Sequence, residues 1–264
     1  KFIYCHSPAR WLYLSDQYLG EKSTGPVPLL LKTLRPALML WDHLAAHRSA
    51  VYVANASVIK KRIENVYGKK DVPIFFPPHS VDTTAPVEPI PGLEEFTESD
   101  DYFLIVSRLL PYKNVDKAIE ACNELGKKLL VIGRGPEKER LEALAGPTIR
   151  IASGVSDAQL RYAYRHCLAL LAISYEDFGI TPLEAGASGK AVIAYRAGGF
   201  LDTIQEGKTG MFINQPTVEQ LVEALKAFNP DDWDADYIRE HVDGFSEARF
   251  ISRLKMYVQA LPED

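Results

Sequence analysis

Apolar runs of five or six residues recur through the second half of the chain, each followed by a loop and then a stretch with helical spacing. Tyr102–Val106 leads to Val115–Leu125, and Lys128–Ile132 leads to Glu137–Ala145. Leu168–Ile173 and Ala191–Tyr195 are each followed by a further helix candidate. Continuous apolar strands alternating with helices predict a parallel sheet covered on both faces. Residues 101–245 make one doubly wound α/β domain by this count.

The first part of the chain is sparser. Strands are predicted over Lys1–Cys5 and Val51–Ala54, helices over Leu29–His47 and Ser57–Tyr67, and Ile74-Phe75-Phe76 is a third apolar run. Three strands and two helices make a poor sheet alone, so residues 1–76 read as the second half of a domain whose other half is supplied elsewhere. Residues 77–100, with Pro77, Pro78, Pro86, Pro89 and Pro91, read as an interdomain linker. The tail, 246–264, is expected to hold an amphipathic helix with Phe250, Leu254, Tyr257 and Val258 on one face and a start signal at Ser246-Glu247.

Charge sharpens this division. The 264 residues carry 30 Lys+Arg against 35 Asp+Glu, a net of −5. Residues 1–70 hold 11 basic residues against four acids (Asp16, Glu21, Asp42, Glu64), a net of +7, and the remainder is −12. Two lobes facing different partners would give such a step, as would two small domains that simply differ in charge, and the basic lobe suits contact with an anionic membrane. The acidic total argues against nucleic acid as a partner, and no apolar run approaches the ~18–20 residues of a membrane span. Cys5, Cys122 and Cys167 lie far apart in apolar stretches, as free buried thiols of a reducing compartment do. A cytoplasmic protein, peripheral at the inner face of the membrane, is the expectation.

Candidate chemistry gathers where strands end. Ser107-Arg108-Leu109-Leu110-Pro111-Tyr112-Lys113 follows the strand Tyr102–Val106. Arg108 offers a planar fork and Lys113 a movable point charge, a pair suited to a diphosphate, although an Arg and a Lys after a strand are by themselves more often surface charges. After Leu168–Ile173 comes Ser174-Tyr175-Glu176-Asp177-Phe178-Gly179-Ile180-Thr181-Pro182-Leu183-Glu184. Here Thr181 suits a helix N-cap, Pro182 the first turn and Glu184 the third position, with free N–H groups for an anion. Glu176 and Glu184 are two carboxylates at one mouth, able to accept from vicinal diols of sugar or ribose. Thr181-x-x-Glu184 is equally the pattern of a capping box, and Glu176 could be a solvated loop acid.

Gly133-Arg134-Gly135-Pro136 turns from strand to helix, but Pro136 removes an N–H and no third glycine follows, so a tight turn explains it at least as well as phosphate binding. Gly198-Gly199 would let a ligand approach the backbone closely. The six histidines show neither H-E-x-x-H nor clustered acids, so no metal site is expected, and the absent G-x-G-x-x-G disfavours a nicotinamide enzyme.

Together these residues resemble the retaining glycosyltransferases of family four: Ser107-Arg108 with Lys113, Gly133-x-Gly135-Pro136, Gly154-Val155-Ser156-Asp157, Glu176-x7-Glu184, Gly198-Gly199, and Glu206 through Gly210. Asn55 in Val53-Ala54-Asn55-Ala56, Phe76-Pro77-Pro78 and Val81-Asp82 extend the match. His6-Ser7-Pro8-Ala9-Arg10 is similar to bacterial and archaeal mannosyltransferases of surface-polysaccharide assembly. The resemblance implies a GT-B type fold, with a partial N-terminal Rossmann-like domain and a C-terminal Rossmann-like domain that binds a nucleotide sugar, GDP-mannose rather than a UDP-sugar. It implies a glycan or lipid-linked acceptor and no cofactor or metal. Arg108 and Lys113 would hold the diphosphate, and Glu184 the ribose. Glu176 would meet the sugar, with His6 touching it from the first domain. Gly135 and the backbone of Phe178, Gly179 and Ile180 would line the donor, with Val155 near the base, and the tail helix would cross back to the first domain. A non-catalytic sugar-nucleotide-binding subunit that completes a partner chain's site is the alternative.

Overall fold

The computed structural model describes residues 2–13, 26–48 and 51–261, which divide into two compact units, 1–76 and 77–264. Lys1, Asp16, Glu21 and Lys22, counted above in the first segment's charge, lie outside the described residues, as does the first position of the strand expected over Lys1–Cys5.

In the first unit β1 (Phe2–Cys5) is followed by α1 (Arg10–Tyr13), α2 (Pro26–His47), β2 (Val51–Ala54) and α3 (Ser57–Tyr67). The two strands pair in parallel, Phe2 opposite Val51 and Cys5 opposite Ala54. The third apolar run joins them only as a bridge between Ala54 and Ile74, with the Tyr4 hydroxyl donating to the Phe75 carbonyl at 2.7 Å. α3 buries Ile59, Ile63 and Tyr67, one face of a helix at intervals of four. Asp42 ties the helices together, because Tyr13 and Tyr67 both donate to its Oδ2, at 2.8 and 2.9 Å. The outer face of α2 leaves Leu40, Trp41 and Leu44 in solvent, Trp41 at 69%.

The second unit is built on six parallel strands. In chain order its elements are α4 (Glu94–Thr97), β3 (Tyr102–Val106), α5 (Val115–Leu125), β4 (Lys128–Ile132), α6 (Lys138–Leu144), β5 (Ile149–Ala152), α7 (Asp157–His166), β6 (Leu170–Ala172), α8 (Thr181–Ala187), β7 (Val192–Tyr195), α9 (Phe200–Thr203), β8 (Gly210–Ile213), α10 (Val218–Ala227), α11 (Ala235–Asp243) and α12 (Glu247–Gln259). The strands lie in the order β5-β4-β3-β6-β7-β8. The chain therefore starts in the middle, winds outward one way, and returns to wind outward the other way. β5 and β8 had no apolar run long enough to announce them: Ile149-Arg150-Ile151-Ala152 alternates, and Gly210 opens β8.

Successive strand residues point to opposite faces, and each face has its own core. Phe103, Ile105, Leu129, Val131, Leu171 and Ile193 meet Ile119, Leu221 and Leu225 of α5 and α10. Tyr102, Leu104, Leu130, Leu170, Val192 and Ala194 meet Tyr164, Ala185 and Phe200 of α7, α8 and α9. Each fully buried Leu, Ile or Phe contributes about 1.5–3 kcal/mol, which makes this two-sided burial the main force holding the sheet. The doubly wound parallel sheet expected from the pattern is the fold of this unit.

Residues 77–100 are counted with the second unit and hold on to it at several points. Ile90 is buried in the second core, and Arg161 donates to the Pro86 carbonyl at 2.9 and 3.1 Å. The proline-rich composition read as a linker gives no sign of these anchors. All three cysteines are buried and free. Burial pushes the Cys5 thiol up to about 11 and those of Cys122 and Cys167 to about 12. Among the described residues no helix is long and apolar enough to cross a membrane.

Candidate functional site

In an open parallel sheet, ligands bind outside the carboxyl ends of the strands where the winding direction reverses. Here that point lies between β3 and β6, neighbours in the sheet but remote in sequence. The two loops leaving these strands are 107–114 and 173–180, the two segments singled out above.

The first loop runs from Ser107 through a tight turn at Pro111–Lys113 to Asn114, which takes the left-handed conformation (φ 55°) that asparagine tolerates well. Asn114 then reaches across, donating from Nδ2 to the Ile173 carbonyl at 2.9 Å. This one side chain staples the β3 loop to the β6 loop. Beside it the Lys113 ammonium pairs with Glu176 Oε1, and the Ser174 hydroxyl donates to the same oxygen at 2.6 Å. The Lys113 and Glu176 side chains keep 11% and 24% of their exposure, so the pair is half-desolvated yet reachable from solvent. Lys113 also lies over the Tyr112 ring, 5.1 Å from its centre. Arg108 is exposed and donates to the Tyr112 hydroxyl at 3.0 Å.

Glu184 has a different setting. It sits in the first turn of α8, and Tyr164 of α7 donates its hydroxyl to Glu184 Oε2 at 2.6 Å. Burial raises the Glu184 carboxyl above its ordinary range, and the Tyr164 hydrogen bond pulls the other way. The capping box considered for Thr181 and Glu184 does not form. Ile180 is the N-cap, no side chain caps the helix, and Glu184 spends its acceptor on Tyr164 instead.

The glycine turns act on protein backbone. A Cβ on Gly198 would lie 2.0 Å from the Glu176 carbonyl oxygen and one on Gly199 2.2 Å from Phe178 Cα, and the Gly199 N–H donates to the Glu176 carbonyl at 2.9 Å. These glycines let the β7 loop press against the Glu176 loop, which corrects the expectation that they make room for a ligand. Likewise a Cβ on Gly135 would fall 2.2 Å from the Leu109 carbonyl oxygen, so the 133–136 turn packs against the loop that carries Arg108. That is the tight-turn reading of the motif.

Of the other expected donor contacts, Phe178 is buried and Ile180 exposed. Gly179 abuts the Phe200 ring, and Val155 packs on the rim of the second core. His6 belongs to the first unit, just past β1, where the Asn55 amide donates to its Nδ1 at 3.3 Å and the Tyr4 ring meets it edge to face at 5.2 Å. Three residues of the neighbourhood escaped the sequence reading: Asn114, Ser174 and Tyr164. Ser174 stood in the quoted segment without a role, and Asn114 and Tyr164 carried no spacing signal, because each partner comes from another strand or helix. Among the described residues no three His, Cys, Asp or Glu side chains gather as metal ligands.

Comparison with known proteins bears on the whole. Residues 89–242, more than half of the chain, match the family model described as glycosyl transferases group 1. A glycogen synthase of Pseudomonas syringae pv. syringae is 33% identical over 133 residues, 47% of this chain and 27% of that protein. A GDP-mannose-dependent alpha-(1-6)-phosphatidylinositol monomannoside mannosyltransferase of Mycobacterium tuberculosis is 30% identical over 138 residues, 46% of this chain and 36% of that protein. The alignments thus span between about a quarter and just over a third of these relatives. Among solved structures, sucrose-phosphate synthase from Thermosynechococcus elongatus superposes with a TM-score of 0.76 at 17% identity, covering 98% of this chain and 67% of that one. Anabaena HepE in complex with UDP and glucose gives 0.69 at 17%, covering 84% and 67%. The fold is α/β of the GT-B type, and the chain belongs to the group 1 glycosyl transferases.

Proposed function

We propose that this chain carries the donor side of a retaining hexosyltransferase that moves a sugar, mannose from GDP-mannose in preference to a UDP-sugar, onto a glycan or lipid-linked acceptor. The observation that carries this reading is the Lys113–Glu176 pair at the reversal point of the sheet, with Arg108 on the same loop as Lys113. A cation beside an anion at the carboxyl ends of β3 and β6 suits a ligand that joins a diphosphate to a hydroxyl-rich sugar.

In this reading Arg108 and Lys113 receive the diphosphate and meet the negative charge that grows on it as the bond to the sugar breaks. They do so in place of a metal. Glu176 accepts from the sugar hydroxyls, and Glu184 from the ribose. Gly135 and the backbone of Phe178, Gly179 and Ile180 lie against phosphates and sugar, and Val155 against the base. Retention follows from attack on the face the leaving group departs from, with no protein nucleophile.

The name of the mycobacterial relative supports GDP-mannose, whereas HepE is seen with UDP and glucose. A transfer assay decides between them: each donor is incubated with lipid-linked and oligosaccharide acceptors in EDTA, and the anomeric configuration of the product is read by proton NMR. Mannose transfer from GDP-mannose with an α product supports the proposal. Inversion, or absolute dependence on added metal, overturns the mechanism. The +7 first segment and the exposed Leu40, Trp41 and Leu44 of α2 further support docking at an anionic inner-membrane face. Equal sedimentation with neutral and anionic liposomes at low salt would exclude that docking.

A further inference from the structure

Tyr164 is among the largest side chains wholly inside the protein, 1% exposed, in the second core with Tyr102 of β3 and Ala185 of α8. A phenol in such a place needs a partner for its hydroxyl, because leaving it unpaired costs free energy that the ring's burial must offset. Its partner is not a backbone carbonyl but an acid, Glu184 Oε2, at 2.6 Å. The helix that carries Tyr164 is fixed at both ends. α7 starts in a capping box between Ser156 and Gln159, and the Tyr164 carbonyl accepts from the Cys167 thiol at 3.4 Å.

Glu184 is equally constrained, with Leu183 and Ala185 buried on either side. Its Oε1 has no partner among the described residues, and Oε2 retains one lone pair after accepting from Tyr164. A carboxylate gripped on one side and open on the other is a preorganised acceptor for two adjacent hydroxyls. Substituted for Tyr164, a residue without the hydroxyl leaves the buried oxygen unsatisfied and the carboxylate free to rotate.

We propose that Tyr164 is a positioning residue for the donor site, whose hydroxyl locks Glu184 in the orientation that accepts the ribose 2′- and 3′-hydroxyls and so gives the site its preference for ribonucleotides. The proposal rests on the reading of Glu184 as the ribose-binding acid. Consistent with it, Tyr164 is the group whose hydrogen bond counteracts the effect of burial on Glu184, favouring the charged acceptor. Tyr164 touches no ligand in this scheme; it acts only through Glu184.

The test is calorimetric titration of the full chain with GDP and UDP and with their 2′,3′-dideoxy counterparts, for the wild type, Tyr164→Phe and Glu184→Gln. The wild type binds the ribonucleotide at least tenfold more tightly than the dideoxy analogue. Tyr164→Phe loses roughly tenfold for the ribonucleotide, the scale of one charge-assisted hydrogen bond, and stays within about twofold for the dideoxy analogue. Equal weakening of both would reduce Tyr164 to a packing residue. Should Tyr164→Phe keep the ribose preference while Glu184→Gln abolishes it, the proposal falls and the reading of Glu184 stands. A wild type that binds nucleotide with no ribose preference removes the Glu184 reading and the proposal together. If Tyr164→Phe does not fold, 3-fluorotyrosine at position 164, a stronger donor of the same shape, is expected to increase the preference; an unchanged preference overturns the proposal.

Discussion

Replacing either partner of the Lys113–Glu176 pair should move nucleoside diphosphate binding in opposite directions. At ion-pair distance and an effective dielectric of ~20 the Coulomb attraction is about 4 kcal/mol. Residual exposure of 11% and 24% and the cost of ordering two side chains leave a net of about 1 kcal/mol. In the free protein the Lys113 charge is therefore partly spent on Glu176, and an incoming diphosphate must compete for it while being repelled by the carboxylate. Glu176→Gln removes both penalties, so GDP or UDP binding tightens by roughly fivefold. Lys113→Ala removes a contact of about 1.5–3 kcal/mol and weakens binding ~10–100-fold. For the intact nucleotide sugar the Glu176→Gln gain should vanish, because the carboxylate proposed to accept from the sugar hydroxyls is gone. Calorimetry on the wild type and both variants, with nucleoside diphosphate and nucleotide sugar, reads all of this. If Glu176→Gln weakens nucleoside diphosphate binding, the pair is a structural strut and not two halves of a donor site.

Three further outcomes follow from the same geometry. Gly199→Ala forces a methyl to within 2.2 Å of Phe178 Cα, so a loss of roughly 2–4 kcal/mol in denaturant unfolding is expected together with impaired nucleotide binding. Burial raises the Glu184 carboxyl, so the folded state binds its proton more readily than the unfolded chain and stability falls as pH rises through the raised value. Glu184→Gln should accordingly melt higher than wild type at pH 7, with the gap closing towards pH 4. His79 is depressed below 6.5 chiefly by burial, with Asp243 and the Val242 backbone opposing. The unfolded chain protonates first, so stability is lost as pH falls below about 6.5, and thermal melts of His79→Gln should show a flatter profile there.

The sequence was most informative where apolar runs end. Runs such as Tyr102–Val106 and Leu168–Ile173 are continuous because both faces of a parallel strand are buried, so their ends mark the ligand side of the sheet without knowledge of the strand order. That is why the sequence alone places Arg108, Lys113 and Glu176 in loops that follow strands. What could not be read is adjacency. Lys113 and Glu176 are 63 residues apart, and only the return of the chain to the middle of the sheet, placing β6 beside β3, makes them neighbours. The same blindness affected Gly198-Gly199. A glycine pair signals close approach, but the Glu176 backbone that approaches comes from the neighbouring loop. For Glu184, the local pattern Thr181-x-x-Glu184 offered a cap, and a tertiary partner outcompeted it. Tyr164 satisfies the carboxylate from α7, and the helix begins one residue earlier, at an Ile180 cap that has no side-chain acceptor.

The proposed donor site is tested most directly by titrating this chain with GDP, UDP, GDP-mannose and UDP-glucose in EDTA while following backbone amide shifts by NMR. Binding of one base series, GDP and GDP-mannose by preference, with the largest shifts in 107–114 and 173–184, is the predicted result. Saturating shifts confined to other loops of the second unit, or no binding by any of the four, would contradict the proposal that the Lys113–Glu176 loops hold the donor.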